Sequence, residues 1–389
     1  MKSFFLRNIV SLYLIKISKW FNMVMPVIVL FYQDNGLNMQ DIFTLKAIYS
    51  VAIVAMEIPS GYMADVWGRR NTLLLGGILA STGFALYSFS EGFWAFALAE
   101  IVLGAGHSFF SGADSAMLYD TLKASKREGE YVKQEGWVTS AGNFAEAFAG
   151  IVGGFLATIS LHTPFFFQFA VSSIAVPAGW LLKEPLSRPS QSGSHLKKTI
   201  RIVVKTFTLP ELRSAILLSS FTGTASLTFA WFVQPYFEQA GVKISAFGVM
   251  WTLLNLSVAF SSMSSYRFRD WLGEKNFLIF IISGLTAGYF AAAWEISLAG
   301  IAILFFFYII RGIAHPVLKD FINQYTQSDV RATVLSLRDF AIRINFAIIG
   351  PLLGWLTDHY SLCVALMAAG AIYIVSMLFV IGPVWKILK

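Results

Sequence analysis

Apolar runs of roughly 20 residues, each closed by a short polar break, recur along the whole chain. As a helix, such a run is long enough to cross the hydrocarbon core of a bilayer, about 30 Å thick. The pattern predicts twelve spans, at 8–32, 41–64, 71–90, 93–121, 131–160, 164–183, 210–237, 244–266, 276–294, 296–321, 331–358 and 361–384. One break differs in length and character. It carries Pro185, Pro189, Ser192, Gly193 and several basic residues, and it separates six spans from six.

The two sets of spans resemble each other. A shift of 205 positions aligns Phe31-Tyr32 with Tyr236-Phe237, Gly36 with Gly241, Asp65 with Asp270 and Gly68 with Gly273. Internal repeats about a central connection mark many transporters, whose solute sites lie between the repeats near the middle of the membrane. The fold expected is an all-α membrane protein with 12 transmembrane helices in two pseudo-symmetric six-helix bundles. These are residues 1–183 and 210–389, with a cytoplasmic linker at 184–209.

Composition agrees with this pattern. Of 389 residues 56% are hydrophobic and 13% charged, against roughly 25% charged in soluble domains. The net charge of +7 raises nucleic acid as a partner, but its distribution argues for topology instead. With the N-terminus inside, Lys and Arg crowd the loops of that side, and Lys243 alone sits on the other. That asymmetry is the positive-inside pattern. It places both termini in the cytoplasm, in a bacterial inner (plasma) membrane, with basic loops against anionic membrane lipids. The start of the chain has the basic tip and apolar run of a signal peptide, yet no small-residue cleavage site follows, so an uncleaved first span is expected. Cys363 is the single cysteine, which excludes an internal disulfide and a thiolate metal cluster.

Between the second and third spans stands Gly61-Tyr62-Met63-Ala64-Asp65-Val66-Trp67-Gly68-Arg69-Arg70. This resembles the signature loop of the major facilitator superfamily, and a degenerate echo (Tyr266, Asp270, Gly273, Lys275) lies between spans 8 and 9. Glycine at 61 allows close helix approach, glycine at 68 a tight turn, and Asp65 suits the positive end of a neighbouring helix. The resemblance implies a conformational latch made of Gly61, Asp65, Gly68, Arg69, Arg70, Asp120 and Asp270. In it Asp65 would cap span 11, and a loop arginine would pair with Asp120. The plainer alternative has Arg69 and Arg70 only anchoring the loop to lipid phosphate. A second family motif, in span 5, is matched by Ala145, Ala149, Gly150, Gly153 and Gly154, with Gly150 where the family has proline. The glycines still predict close packing; the missing proline weakens an antiporter assignment.

Ionisable residues inside spans are costly, and each one is a candidate for function. In span 4, Glu100, Gly104, His107, Ser111 and Asp114 recur at alternating steps of four and three, which predicts one polar helix face toward a hydrated cavity. Span 10 repeats the pattern in basic form, with Tyr308, Arg311, His315 and Lys319; span 1 offers Lys16, Lys19 and Met23, and span 5 Gly142 and Glu146. The resemblance implies that spans 1, 4, 7 and 10 line the central cavity. At about 1.5 Å per residue, Lys19, Glu146, Arg311 and Arg343 fall near the midplane. A carboxyl buried among apolar groups keeps its proton to higher pH, so Glu146, Glu100 and Glu57 are the proton-coupling candidates. The substrate-binding candidates are Lys19, His107, Asp114, Asn143, Trp231, Gln234, Asn255, Arg311, His315 and Arg343.

Bland readings stand beside these. Asp339 and Arg343 could pair along one helix, His107 and His315 could be packing residues, Glu57 could serve the latch, and Phe165–Phe167 and Phe305–Phe307 could face lipid or pack. The chain carries no phosphate-binding loop, no H-E-x-x-H and no cysteine cluster, so neither enzyme, cofactor nor metal is expected. The leading expectation is a monomeric secondary transporter that exports a drug or metabolite by proton antiport. Proton-coupled uptake of an anionic or zwitterionic nutrient is the nearest rival. A transporter-like sensor without flux is the alternative from another class.

Overall fold

Apolar runs that cannot bond their backbone to water satisfy it internally, and helices do this residue by residue. In a computed structural model the chain is described over residues 2–185, 206, 208–326 and 330–387, and those residues form helices without a strand. The first half holds α1 (Lys2–Trp20), α2 (Ile28–Asp34), α3 (Met39–Val66), α4 (Arg69–Phe89), α5 (Phe93–Phe110), α6 (Ala113–Ala124), α7 (Tyr131–Ala157), α8 (Thr163–Ser173) and α9 (Ala175–Leu181). The second half holds α10 (Pro210–Gln239), α11 (Ile244–Met263), α12 (Ser265–Trp294), α13 (Ile301–Gln324), α14 (Arg331–His359) and α15 (Leu362–Ile387).

Ten segments among the described residues are long and apolar enough on their own to cross a membrane, with α5–α6 and α8–α9 each counting as one. Two expected spans fall outside that number for readable reasons. The first is broken between α1 and α2, where residues 21–27 leave the helix. The fifth, α7, has its hydropathy diluted by Asn143, Glu146 and a run of glycines.

Span 4 departs from expectation in a way that matters. Its helix ends at Phe110, Ser111 turns to an extended conformation, and Gly112 adopts φ +75° before α6 begins. The face expected to run unbroken from Glu100 to Asp114 is therefore cut, with Asp114 in the first turn of a new helix. A similar break at Gly273 (φ 71°) divides α12. The left-handed glycines repeat at the offset seen in sequence, Gly36 with Gly241 and Gly68 with Gly273.

The helices cluster into two compact units. One comprises Met1–Leu37, Ile48–Gly193 and Ile244–Thr252; the other comprises Asn38–Ala47, Ser194–Lys243 and Leu253–Lys389. The expected linker at 184–209 lies largely outside the described residues.

Within the first unit, the span 5 glycines allow backbone-to-backbone contact. A β-carbon on Gly153 would lie 1.9 Å from the Met23 carbonyl oxygen, and one on Gly154 would lie 2.7 Å from Gly248 Cα. Gly61 is different: it is exposed, and nothing lies within 4 Å of where its β-carbon would be. Among the described residues nothing makes the close approach expected at Gly61.

Within the second unit, the start of α3 rests on the end of α14. Gly354 faces the Met39 carbonyl, and the Asp358 carboxylate accepts hydrogen bonds from the amides of Met39 (2.9 Å) and Gln40 (2.7 Å). These are two of the amides a helix start leaves unpaired. On the loop after α6, Arg127 and Glu130 form a bidentate pair at 2.7 Å, and the guanidinium holds the Glu130 carboxyl below the usual carboxylate range.

Candidate functional site

Three groups of side chains stand out. The first is the signature loop. Gly68 takes φ +87°, and the Glu184 carboxylate packs where its β-carbon would be, at 2.9 Å. Both Glu184 oxygens accept from the start of α4, Oε1 from the Arg69 amide (3.0 Å) and Oε2 from the Arg70 amide (2.7 Å). The Arg69 guanidinium pairs with Asp120 and donates to the Ala116 carbonyl (2.9 Å). Arg70 donates instead to the Trp180 carbonyl at 3.0 Å. Asp65 is exposed. In the second half Asp270 lies beside Arg269 (3.2 Å), which also pairs with Asp320 (3.0 Å). The sequence reading missed Glu184 and the Arg269–Asp320 pair. Glu184 sits at the edge of the polar linker, and Arg269 precedes its aspartate instead of following the turn glycine.

The second group is in the outer half of the first unit. Glu100 is 1% exposed on α5. Its Oε1 lies 2.7 Å from the Tyr32 hydroxyl of α2 and 2.6 Å from the Tyr87 hydroxyl of α4, and the two hydroxyls are 2.5 Å apart. Phe31, Phe96 and Phe165 pack around these rings. Gly104, the next residue on the expected stripe, meets the Tyr49 carbonyl and Ala52. This end of the stripe is thus packed against helices, not turned to a hydrated space. Tyr32 figures in the sequence only through the internal repeat, and Tyr87 not at all.

The remaining candidates of this unit are spread. Asp114 pairs with Lys16 at 3.1 Å and accepts from the Ser115 amide at 2.8 Å. The Lys19 ammonium lies 5.5 Å from the Phe110 ring centre, and His107 Nδ1 lies 3.3 Å from the Tyr49 hydroxyl. Glu57 and Glu146 are half-buried and Asn143 is exposed.

The third group lies in the second unit. A cavity of about 220 Å³ is lined by Thr222, Ser226, Arg311, His315, Arg338 and Asp339 among others. Arg338, 3% exposed, donates through Nε to Ser219 Oγ (2.7 Å) and through Nη1 to Asp339 (2.7 Å). Asp339 therefore pairs with its neighbour Arg338, and no salt bridge among the described residues joins it to Arg343 one turn on. Of the sequence candidates, Arg311 and His315 meet here and Arg343 does not line the cavity. Trp231 and Gln234 are buried in α10, Trp231 under the Lys46 ammonium at 4.8 Å, and Asn255 is half-buried in α11. Phe307 is buried and stacks on Phe229 at 3.7 Å, and Phe165 packs tilted against Phe31 at 3.8 Å. Phe166, Phe167 and Phe306 are exposed.

A family model described as Major Facilitator Superfamily matches residues 20–344. The chain is 21% identical over 298 residues to quinolone resistance protein NorA of Staphylococcus aureus (strain MRSA252), covering 74% of this chain and 75% of that protein. Over a shorter stretch of 126 residues it is 35% identical to tetracycline resistance protein, class B, of Escherichia coli, covering 31% of this chain and 29% of that protein. Among solved structures, a variant of nucleoside transporter NupG superposes with a TM-score of 0.81 at 14% identity, covering 99% of this chain and 100% of the other. At that identity the likeness is one of fold.

Proposed function

Because this chain belongs to the major facilitator superfamily, and is by that membership a multi-pass membrane transporter, we propose that it exports a small organic drug or metabolite by proton antiport. The solute would pass by alternating access, with both termini in the cytoplasm of a bacterial inner membrane and the monomer as the working unit.

The observation that carries the proton half of this reading is the Glu100 ring. Three oxygen–oxygen contacts of 2.5–2.7 Å join Glu100, Tyr32 and Tyr87. Both phenols donate to the same carboxyl oxygen, so the acid ties α2 and α4 to α5, and a change in its protonation would act on that packing. Glu146 and Glu57, half-buried on α7 and α3, are the further candidates on the proton's route. The Arg69–Asp120 pair and the Glu184 cap would serve as parts of the conformational latch, together with Asp65 and Asp270. Similarity to a quinolone and a tetracycline resistance protein supports the choice of export.

Uptake of an anionic or zwitterionic nutrient by proton symport is the second reading, and the arginine-lined cavity of the second unit favours it. Flux in proteoliposomes decides between them. A panel of quinolones, tetracycline, nucleosides and small organic acids is measured with and without an imposed pH gradient. Export predicts that solute moves against an inwardly directed proton gradient; movement with the protons selects symport. Gradient-independent flux, or unchanged coupling in Glu100→Gln, overturns the proton assignment.

A further inference from the structure

We propose that the cavity of the second unit is a binding subsite for an oxyanion, a carboxylate or phosphate borne by a small solute. The inference rests on the transport reading only in taking that solute as cargo.

The charge balance of the cavity is positive. Two guanidinium groups and one imidazole line it against one carboxylate. The carboxylate of Asp339 is already engaged by Arg338 Nη1. Ser219 takes Arg338 Nε, so the Nη2 edge of that guanidinium is the part not held by these two partners. It lies 3.7 Å from the point where a β-carbon on Gly223 would stand, and Gly223 itself lines the cavity. Arg311 lies on the next helix, its guanidinium 5.3 Å from the Tyr308 ring centre, and no carboxylate among the described residues forms a salt bridge with it. An arginine retained inside a membrane span without an acid is costly, and an incoming anion removes that cost.

A neutral group in the same wall makes the same request. Thr222 is 4% exposed, lines the cavity, and its hydroxyl oxygen has no hydrogen-bond partner. A buried hydroxyl without a hydrogen-bond partner carries a desolvation cost that a ligand acceptor would remove. An oxyanion accepts from a hydroxyl and from guanidinium forks at once, which a cation or a neutral apolar solute does not. His315, exposed at the same cavity, is a further donor. A cavity of about 220 Å³ is below the range of roughly 300–1,000 Å³ usual for drug-sized ligands. It suits the charged end of a solute or a small organic acid.

The test is thermal stabilisation and equilibrium binding of the full chain, purified in detergent, with benzoate, phenyl phosphate and benzyl alcohol as matched probes. Benzoate or phenyl phosphate is expected to raise the melting temperature and benzyl alcohol to leave it unchanged. Whichever anion binds more tightly names the group. Arg311→Gln is expected to weaken binding by about tenfold or more, the loss of a charge-assisted hydrogen bond, and Thr222→Val by a smaller factor. Arg338→Gln is a third variant, and Arg311→Gln keeps the test open if the buried Arg338 is needed for folding. Equal stabilisation by benzyl alcohol, or anion binding unchanged in both Arg311→Gln and Thr222→Val, overturns the proposal. Flux separates the two readings. Anion binding without flux of any solute leaves the subsite standing and removes transport, whereas flux without anion binding or competition removes the subsite alone.

Discussion

Glu184 closes the start of the helix that begins at Arg69, one carboxylate oxygen on each of the first two amides, at 3.0 and 2.7 Å. The first amides of a helix have no partner of their own, and the helix dipole favours a negative charge there. The first residue of the polar linker thus holds the signature loop to the first half of the chain. Glu184→Ala is expected to cost about 1–2 kcal/mol, in the range of a lost cap, and Glu184→Gln less, since one acceptor remains. Thermal unfolding in detergent measures both. Equal midpoints for wild type and Glu184→Ala would show that the cap contributes nothing.

The two arginine–aspartate pairs are expected to differ in strength. The side chains of Arg69 and Asp120 are 26% and 13% exposed, those of Arg269 and Asp320 29% and 50%. Exposed pairs are worth about 0.2–1 kcal/mol. Double-mutant cycles with Arg69→Gln/Asp120→Asn and Arg269→Gln/Asp320→Asn are expected to return a coupling of about 1–3 kcal/mol for the first and less than about 1 kcal/mol for the second. The reverse order would mean that solvent, and not burial, sets these interactions.

Glycine substitutions should separate the two motifs by packing. Gly153→Ala places a methyl 1.9 Å from a backbone oxygen, and backbone cannot rotate away, so a loss of about 1–3 kcal/mol or more is expected. Gly61→Ala meets open space and adds helix propensity, worth about 0.5–1 kcal/mol. Melting curves of the two variants should therefore move in opposite directions.

Tyr87→Phe is expected to act on Glu100 without touching its charge. Removing one hydroxyl from the ring leaves a buried carboxyl one partner short, at about 1–3 kcal/mol. Proton-driven flux of Tyr87→Phe should shift its pH profile while retaining turnover, whereas Glu100→Gln should abolish the dependence on the gradient. An unshifted profile in Tyr87→Phe would separate the tyrosine from the proton step.

Much of the architecture was written in local pattern. Apolar runs and their breaks gave helices wherever length and hydropathy were both sufficient. They missed the interruptions at 21–27 and at Ser111-Gly112, because a break inside an apolar run leaves hydropathy unchanged. Periodicity extended the stripe of span 4 past a glycine that turns left-handed, so Asp114 was assigned to a face it does not share with Glu100. Glycine-rich span 5 was legible because only small residues tolerate such contact. The partners of Glu100 were not, since two tyrosines from distant spans are indistinguishable in sequence from packing residues. Arg338 was overlooked beside Arg343 for a related reason: spacing along one helix cannot tell which of two arginines turns toward a serine on another.

The left-handed glycines at 36 and 68 return at 241 and 273, each 205 positions on. Two left-handed turns kept at one interval give the halves a common register, so that a position in the first half has an address in the second. At that interval Glu100 falls on Phe305 and Arg311 on Gly106, so neither the buried acid nor that guanidinium has a counterpart in the other half.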